Sequence, residues 1–226
     1  MVAIKKGDFI ELDYTGAVAD DKRVFDTTRT EEAKRAGLNP KAQYKPVIIC
    51  VGEGHLLPGL DEFLTGKELG RYTCTLTAER AFGKKEPKLL KLIPAKKFTE
   101  AKLEPFPGLE VNIDGHYGVV RTVSGGRVTV DFNHPLAGRD VVYTLEAKRF
   151  VEKPEERVEA LLEMVGMHHH GVAMEGKDHI VIRTHSVVPQ LLAESLNAMI
   201  TRLTGLTTVT YHVDAAGHED GTAHGQ

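Results

Sequence analysis

The chain has 226 residues, 41% of them hydrophobic and 27% charged, which suits one large soluble domain or two smaller ones. A formal net charge of −3 argues against a general nucleic-acid binder, and no apolar stretch is long enough to cross a membrane as a helix. Cys50 and Cys74 lie in strand-like runs and Met1 to Asp8 holds no signal-peptide core, so two reduced, buried thiols and a cytoplasmic location are expected.

Phe9 to Gly16 alternates apolar and polar residues and reads as a strand. Ala19-Asp20-Asp21-Lys22 is a turn, and Val24-Phe25-Asp26-Thr27-Thr28 a second short extended segment. Glu31 to Ala36 is a short helix ended by Gly37, and residues 39 to 46 are loop. The stretch from Val47 to Gly70 organises the rest. Val47-Ile48-Ile49-Cys50-Val51 is an apolar strand, and Gly52 and Gly54 let the backbone turn. Leu60, Phe63 and Leu64 then share one helical face. Leu56 and Leu57 stand before Pro58, outside any regular stripe. They either cap the core or line an apolar slot faced by backbone N–H groups. A phosphate-cradling loop is weakly supported, because the lysine-hydroxyl ending is missing. Arg71 to Thr77 is another strand, and Glu79-Arg80-Ala81-Phe82-Gly83 a turn carrying an aromatic expected to be exposed.

Residues 84 to 102 are rich in lysine and proline. Val111 to Ile113, His116 to Val123 and Arg127 to Phe132 are short β runs separated by glycine turns. Together they read as a small inserted β domain, either a substrate-binding module or a stabilising excursion without a ligand. Val141 to Glu146 is a strand. Pro154 opens a helix with Val158, Leu161, Leu162 and Val165 on one face. Val172 to Met174 and His179 to Arg183 are expected to pair, Pro189 opens a second helix, and Thr207 to Val213 is a final strand. The order α-β-β-α-β fits a small α/β domain, with Ala215 to Gln226 as a frayed tail. The final strand either pairs with a second copy, giving a homodimer through this domain, or pairs within its own sheet.

Tyr14-Thr15-Gly16, Val24-Phe25-Asp26, Val51-Gly52 to Gly59 and Ala81-Phe82-Gly83 stand in the order and spacing of FKBP-type peptidyl-prolyl isomerases, and the chain resembles that family over its first 150 or so residues. Asn133-His134-Pro135-Leu136-Ala137-Gly138 before a strand is similar to the closing element of the SlyD-type branch, and the length beyond it to long archaeal members. The resemblance implies an α+β fold: an antiparallel sheet wrapped on a short helix, residues 1–84 and 132–152, with an inserted domain at 85–131 and a C-terminal α/β domain at 153–226. It also implies that Tyr14, Phe25, Leu56, Leu57, Phe82 and Tyr143 wall a proline pocket. Leu60 is its floor, where many relatives carry an indole, and Val47 a further wall. The N–H of Leu57 would hold a substrate carbonyl. Asp26 would be a buried carboxylate bonded to Tyr14, and Phe82 stands where many relatives have tyrosine. The insert would bind unfolded chains, as in SlyD-type relatives.

An X-Pro bond isomerises over a barrier of about 18–20 kcal/mol set by amide resonance. Catalysis therefore needs no nucleophile and no cofactor: an apolar slot that strips water from the imide and holds it twisted suffices. The partners implied are unfolded or proline-containing polypeptides. Two other readings stand beside the isomerase. One is a holdase chaperone with a degenerate slot. The other is a metal-handling protein using His168-His169-His170, with His218 and His224 as further ligands. His134 reads as structural. Cys50, in an apolar strand, stays protonated and is no nucleophile.

Overall fold

The computed structural model describes residues 2–214. The fold is α+β. In chain order the elements are β1 (Phe9–Val18), β2 (Val24–Thr27), α1 (Thr30–Ala36), β3 (Val47–Cys50), α2 (Pro58–Leu64), β4 (Gly70–Leu76), β5 (Leu90–Pro94), α3 (Ala95–Glu100), β6 (Glu110–Ile113), β7 (His116–Ser124), β8 (Arg127–Asp131), β9 (Val141–Phe150), α4 (Pro154–Met164), β10 (Gly171–Met174), β11 (His179–Thr184), α5 (Gln190–Thr204) and β12 (Thr208–Val213). A five-stranded sheet runs β2-β1-β9-β4, with β3 also paired to β1. That last pairing is antiparallel, from Phe9 opposite Cys50 to Leu12 opposite Val47.

The chain divides into two compact units. Among the described residues, one takes in those up to Thr15, Asp26–Thr73 and those from Thr144 on; the other is Gly16–Phe25 with Cys74–Tyr143. In the first unit, α4 opens on Pro154 with Glu155 and Glu156 in its first turn, where the missing proline N–H costs nothing and the carboxylates meet the positive helix end. Val158, Leu161 and Leu162 of α4, Ile180 and Ile182 of β11, and Leu196 and Ile200 of α5 are buried in one core with Phe9, Cys50 and Val151. The C-terminal elements are thus packed on β1 and β3 rather than around a core of their own. Arg157 seals this contact: its guanidinium lies 5.3 Å from the centre of the Phe9 ring and its Nε–H donates to the Val151 carbonyl at 2.8 Å.

The expected pairing of the last strands holds. β10 and β11 are antiparallel, and β12 runs parallel to β11, from His179 opposite Thr208 to Thr184 opposite Val213. One side of the final strand is therefore satisfied within its own sheet, in which β12 stands at the end of the order β10-β11-β12. The segment read as a frayed tail lies outside the described residues.

In the second unit the insert is a four-stranded sheet in the order β5-β8-β7-β6. Phe98 of α3 packs on Val111, Val120, Val128 and Val130. The sequence reading found three of the four strands and missed β5 and α3. Lysines interrupt the apolar pattern there, and only one residue of α3, Phe98, is buried. The two chain crossings into the insert are stapled together. Glu86 N–H donates to Asn133 Oδ1 at 2.7 Å, and Asn133 Nδ2 donates back to the Glu86 carbonyl at 3.2 Å and to Asp131 Oδ1 at 2.8 Å. Asp131 Oδ2 accepts from Lys85 at 3.1 Å and from Arg121 at 3.0 Å. Burial alone would raise the Asp131 carboxyl, but the Asn133, Lys85 and Arg121 donors outweigh it and hold it well below the usual carboxylate range.

Candidate active site

The second unit gathers three of the expected pocket residues. The Phe25 ring, on β2, meets Phe82 edge-on with centroids 5.6 Å apart and Tyr143 of β9 edge-on at 5.9 Å. Positive ring edges thus meet negative faces, the favoured aromatic geometry. Tyr143 is buried, 4% exposed, whereas Phe25 and Phe82 are half-buried. The close approach depends on Gly16: a Cβ there would lie 2.8 Å from the Tyr143 ring and 2.9 Å from the Phe25 ring.

Phe82 was expected to be exposed and is not, because the His134 ring stacks flat on it at 4.6 Å with an interplanar angle of 3°. His134 is fixed in turn by the Leu136 N–H, which donates to its Nδ1 at 3.2 Å. The turn after Phe82 is closed by the Gly83 N–H bonding the Ala78 carbonyl at 2.7 Å and tied down by the Gly138 N–H bonding the Gly83 carbonyl at 2.8 Å. The Asn133–Gly138 motif is therefore the brace of Phe82. Sequence reasoning found the motif but missed this role, since nothing local links residues so far apart.

The first unit holds the other expected residues. Tyr14 donates its hydroxyl to Asp26 Oδ2 at 2.9 Å, as expected, but Asp26 is exposed and not buried. The correction has a simple cause: β2 is the edge strand of its sheet, and its polar side faces water. The buried carboxylate nearby in sequence is Asp13. It accepts from Thr28 Oγ1 at 2.7 Å and pairs with Lys148 at 2.8 Å, and Thr28 Oγ1 also receives the Tyr14 N–H at 2.8 Å. Burial pushes the Asp13 carboxyl up, but the Lys148 and Thr28 bonds prevail and lower it. This network fixes the backbone on both sides of the Tyr14–Asp26 bond.

The turn from Val51 to Leu57 is built as the glycines required, with Gly52 at φ 82° and Gly54 at φ 72°. Backbone N–H groups withdrawn from water need acceptors, and for two part-buried ones in this turn Asp61, 8% exposed, supplies both: Gly52 donates to Oδ1 at 3.0 Å and Gly54 to Oδ2 at 3.2 Å. His55 Nδ1 accepts the Cys50 N–H at 3.0 Å, and burial lowers the readiness of His55 to take up a proton. Asp61 was not foreseen. A carboxylate one turn into a helix that follows two turning glycines is the signal that would have found it. Leu56, Leu57 and Val47 are half-buried, while Leu60 is 1% exposed and belongs to the core under the turn. Burial, then the Glu53 charge, pushes the Cys50 thiol up to about 11. It stays protonated, as expected.

His170 and His185 meet ring edge to ring face, but among the described residues no group of three or more His, Cys, Asp or Glu side chains is placed to hold a metal ion. His218 and His224 lie outside the described residues. No described helix is long and apolar enough to cross a membrane.

Comparison with known proteins agrees with the four motifs. A family model described as FKBP-type peptidyl-prolyl cis-trans isomerase matches residues 2–100, and one described as FKBP26, IF domain, matches residues 91–136. The short-type peptidyl-prolyl cis-trans isomerase of Methanocaldococcus jannaschii is 35% identical over 147 residues, 64% of this chain and 92% of that one. The chain belongs to the FKBP-type peptidyl-prolyl cis-trans isomerase family. Two further members bracket it. The FKBP-type 16 kDa isomerase of Escherichia coli K12 is 35% identical over 130 residues, 55% of this chain and 82% of its own. The isomerase SlyD of Aeromonas hydrophila is 31% identical over 182 residues, 75% of this chain and 72% of its own. The SlyD-type resemblance read from Asn133 to Gly138 is in keeping with these relatives.

Proposed function

We propose that the chain catalyses cis/trans isomerisation of X-Pro bonds in unfolded polypeptides, with Tyr14, Phe25, Asp26, Leu56, Leu57, Leu60, Phe82 and Tyr143 as the residues that act on the proline segment. The observation that carries this reading is the Phe25–Phe82–Tyr143 group. Its rings are locked edge to face, backed by Gly16 and braced by His134, yet two of them keep open apolar surface. Such a surface displaces water from the imide. The charge-separated resonance form that resists rotation is then less well solvated, and the barrier falls by about 1.4 kcal/mol for each tenfold in rate.

Leu56 and Leu57 supply aliphatic contact. The Leu57 N–H, which meets no acceptor among the described residues, is the donor for a substrate carbonyl. Leu60 supports them from the core. Asp26 orients the Tyr14 hydroxyl. The missing hydroxyl at Phe82 removes one polar contact but not the apolar one, so turnover survives.

The functional parts are residues 1–84 and 132–152 for isomerisation, 85–131 for capture of unfolded chains as a chaperone, and 153–226 as a C-terminal extension. The edge of β12 that no described strand pairs is a route to a homodimer through that extension. Two free buried cysteines suit a reducing cytoplasm, and the net charge suits a protein that does not bind nucleic acid. In a short proline-peptide assay, Phe25→Ala is expected to lower kcat/KM about a hundredfold, about 2.7 kcal/mol of transition-state stabilisation. A change within about twofold would remove the aromatic group from the mechanism.

A further inference from the structure

The insert carries a groove of about 790 Å³. β5 and β6, the two edges of the insert sheet, both line it, together with α3 and the β6–β7 turn. Its floor is apolar: Phe98 and Val111 are buried there. Its rim offers large exposed apolar side chains, Leu92 at 64% and Tyr117 at 48% exposure. Such a surface suits an extended apolar segment of another chain.

The rim is also charged, and unevenly. The insert, residues 85–131, holds eight Lys and Arg against six Asp and Glu, while the whole chain is at −3. Lys85, Lys88, Lys96 and Arg121 are each spoken for by a carboxylate. Lys91 and Lys97, the two lysines that line the groove, have no carboxylate partner among the described residues. Lys91 instead lies 5.7 Å from the centre of the Phe132 ring, a groove-lining side chain, so its cation is held over the apolar wall. The one carboxylate lining the groove is Asp114, on the β6–β7 turn.

We infer that this groove selects, among unfolded chains, segments in which apolar residues are flanked by Asp or Glu. The inference rests on the reading that the insert captures unfolded chains, and it adds the sign of charge those chains carry. The apolar floor supplies affinity without regard to charge. Lys91 and Lys97 supply the choice, because each gains an acidic partner from the client that the protein itself does not provide.

The test uses the full chain and three fluorescently labelled, proline-free peptides with one apolar core, flanked by Glu, Gln or Lys. At low salt the Glu peptide is expected to bind on the order of fivefold more tightly than the Gln peptide, and the Lys peptide more weakly than either. Raising the salt brings the three together. In the double variant Lys91→Gln, Lys97→Gln the Glu preference disappears while the Gln peptide binds as before, which also shows that the groove has kept its shape. Equal binding of the three peptides to the parent chain, or a preference that survives the double variant, overturns the charge selection and leaves the capture reading standing. Failure of all three peptides to bind overturns both.

Discussion

The inserted sheet and the C-terminal elements are built on their surroundings in opposite ways. The C-terminal helices and strands have no core of their own: α4, α5 and β11 close over Phe9, Cys50 and Val151. The insert has a small separate core of Phe98, Val111, Val120, Val128 and Val130, joined to its own unit through the Asp131–Asn133 staple. A shared core makes the C-terminal region part of the same cooperative structure as β1. A separate core with a polar joint makes the insert a module that can lose its fold alone.

That contrast breaks most visibly in the two cores. Phe98→Ala removes the one large side chain that α3 contributes to its core, at a cost of about 3–5 kcal/mol, more than a five-residue core is expected to bear. The insert should melt in a separate early transition while short-peptide isomerisation persists. Leu161→Ala, costing about 2–5 kcal/mol, should instead lower the unfolding temperature of the isomerase activity itself, because Leu161 shares its core with Phe9. Thermal scans that follow circular dichroism and activity together check both. The account is wrong if the two variants exchange phenotypes.

Acid sharpens the same comparison with a smaller effect. Asp131 has its carboxyl lowered in the folded chain, so its staple contributes fully above the unfolded value of about 3.9. That contribution is lost progressively as the pH falls below it. Amide exchange in β5 and β8 should therefore quicken on acidification before exchange in α4 does. Simultaneous quickening would mean that the staple does not set the insert's stability.

How much of this was legible follows the range of each interaction. The strand–turn–helix from Val47 to Leu64 could be read because Gly52, Gly54 and Pro58 act on their own backbone. The family resemblance then placed Phe25, Phe82 and Tyr143 in one site, and the second unit does bring these three together. What could not be read depended on partners distant in sequence. Phe82 looked exposed because its cover, His134, comes from the far side of the insert. Asp26 looked buried because nothing local marks β2 as an edge strand. Asp61 went unnoticed because its role is defined by two N–H groups of the preceding turn. β5 and α3 were hidden by the lysines that interrupt their apolar pattern and by the single buried residue of α3, Phe98.

The most direct test of the central claim, a catalytic core served by a separable capturing insert, is the refolding rate of a proline-limited protein. It would be measured with the intact chain and with residues 85–131 replaced by a short loop. The account predicts that the intact chain accelerates refolding and that the shortened chain still isomerises a short proline peptide but loses most of the acceleration. A shortened chain that speeds refolding as well as the intact one would contradict it, and so would an intact chain that accelerates neither substrate.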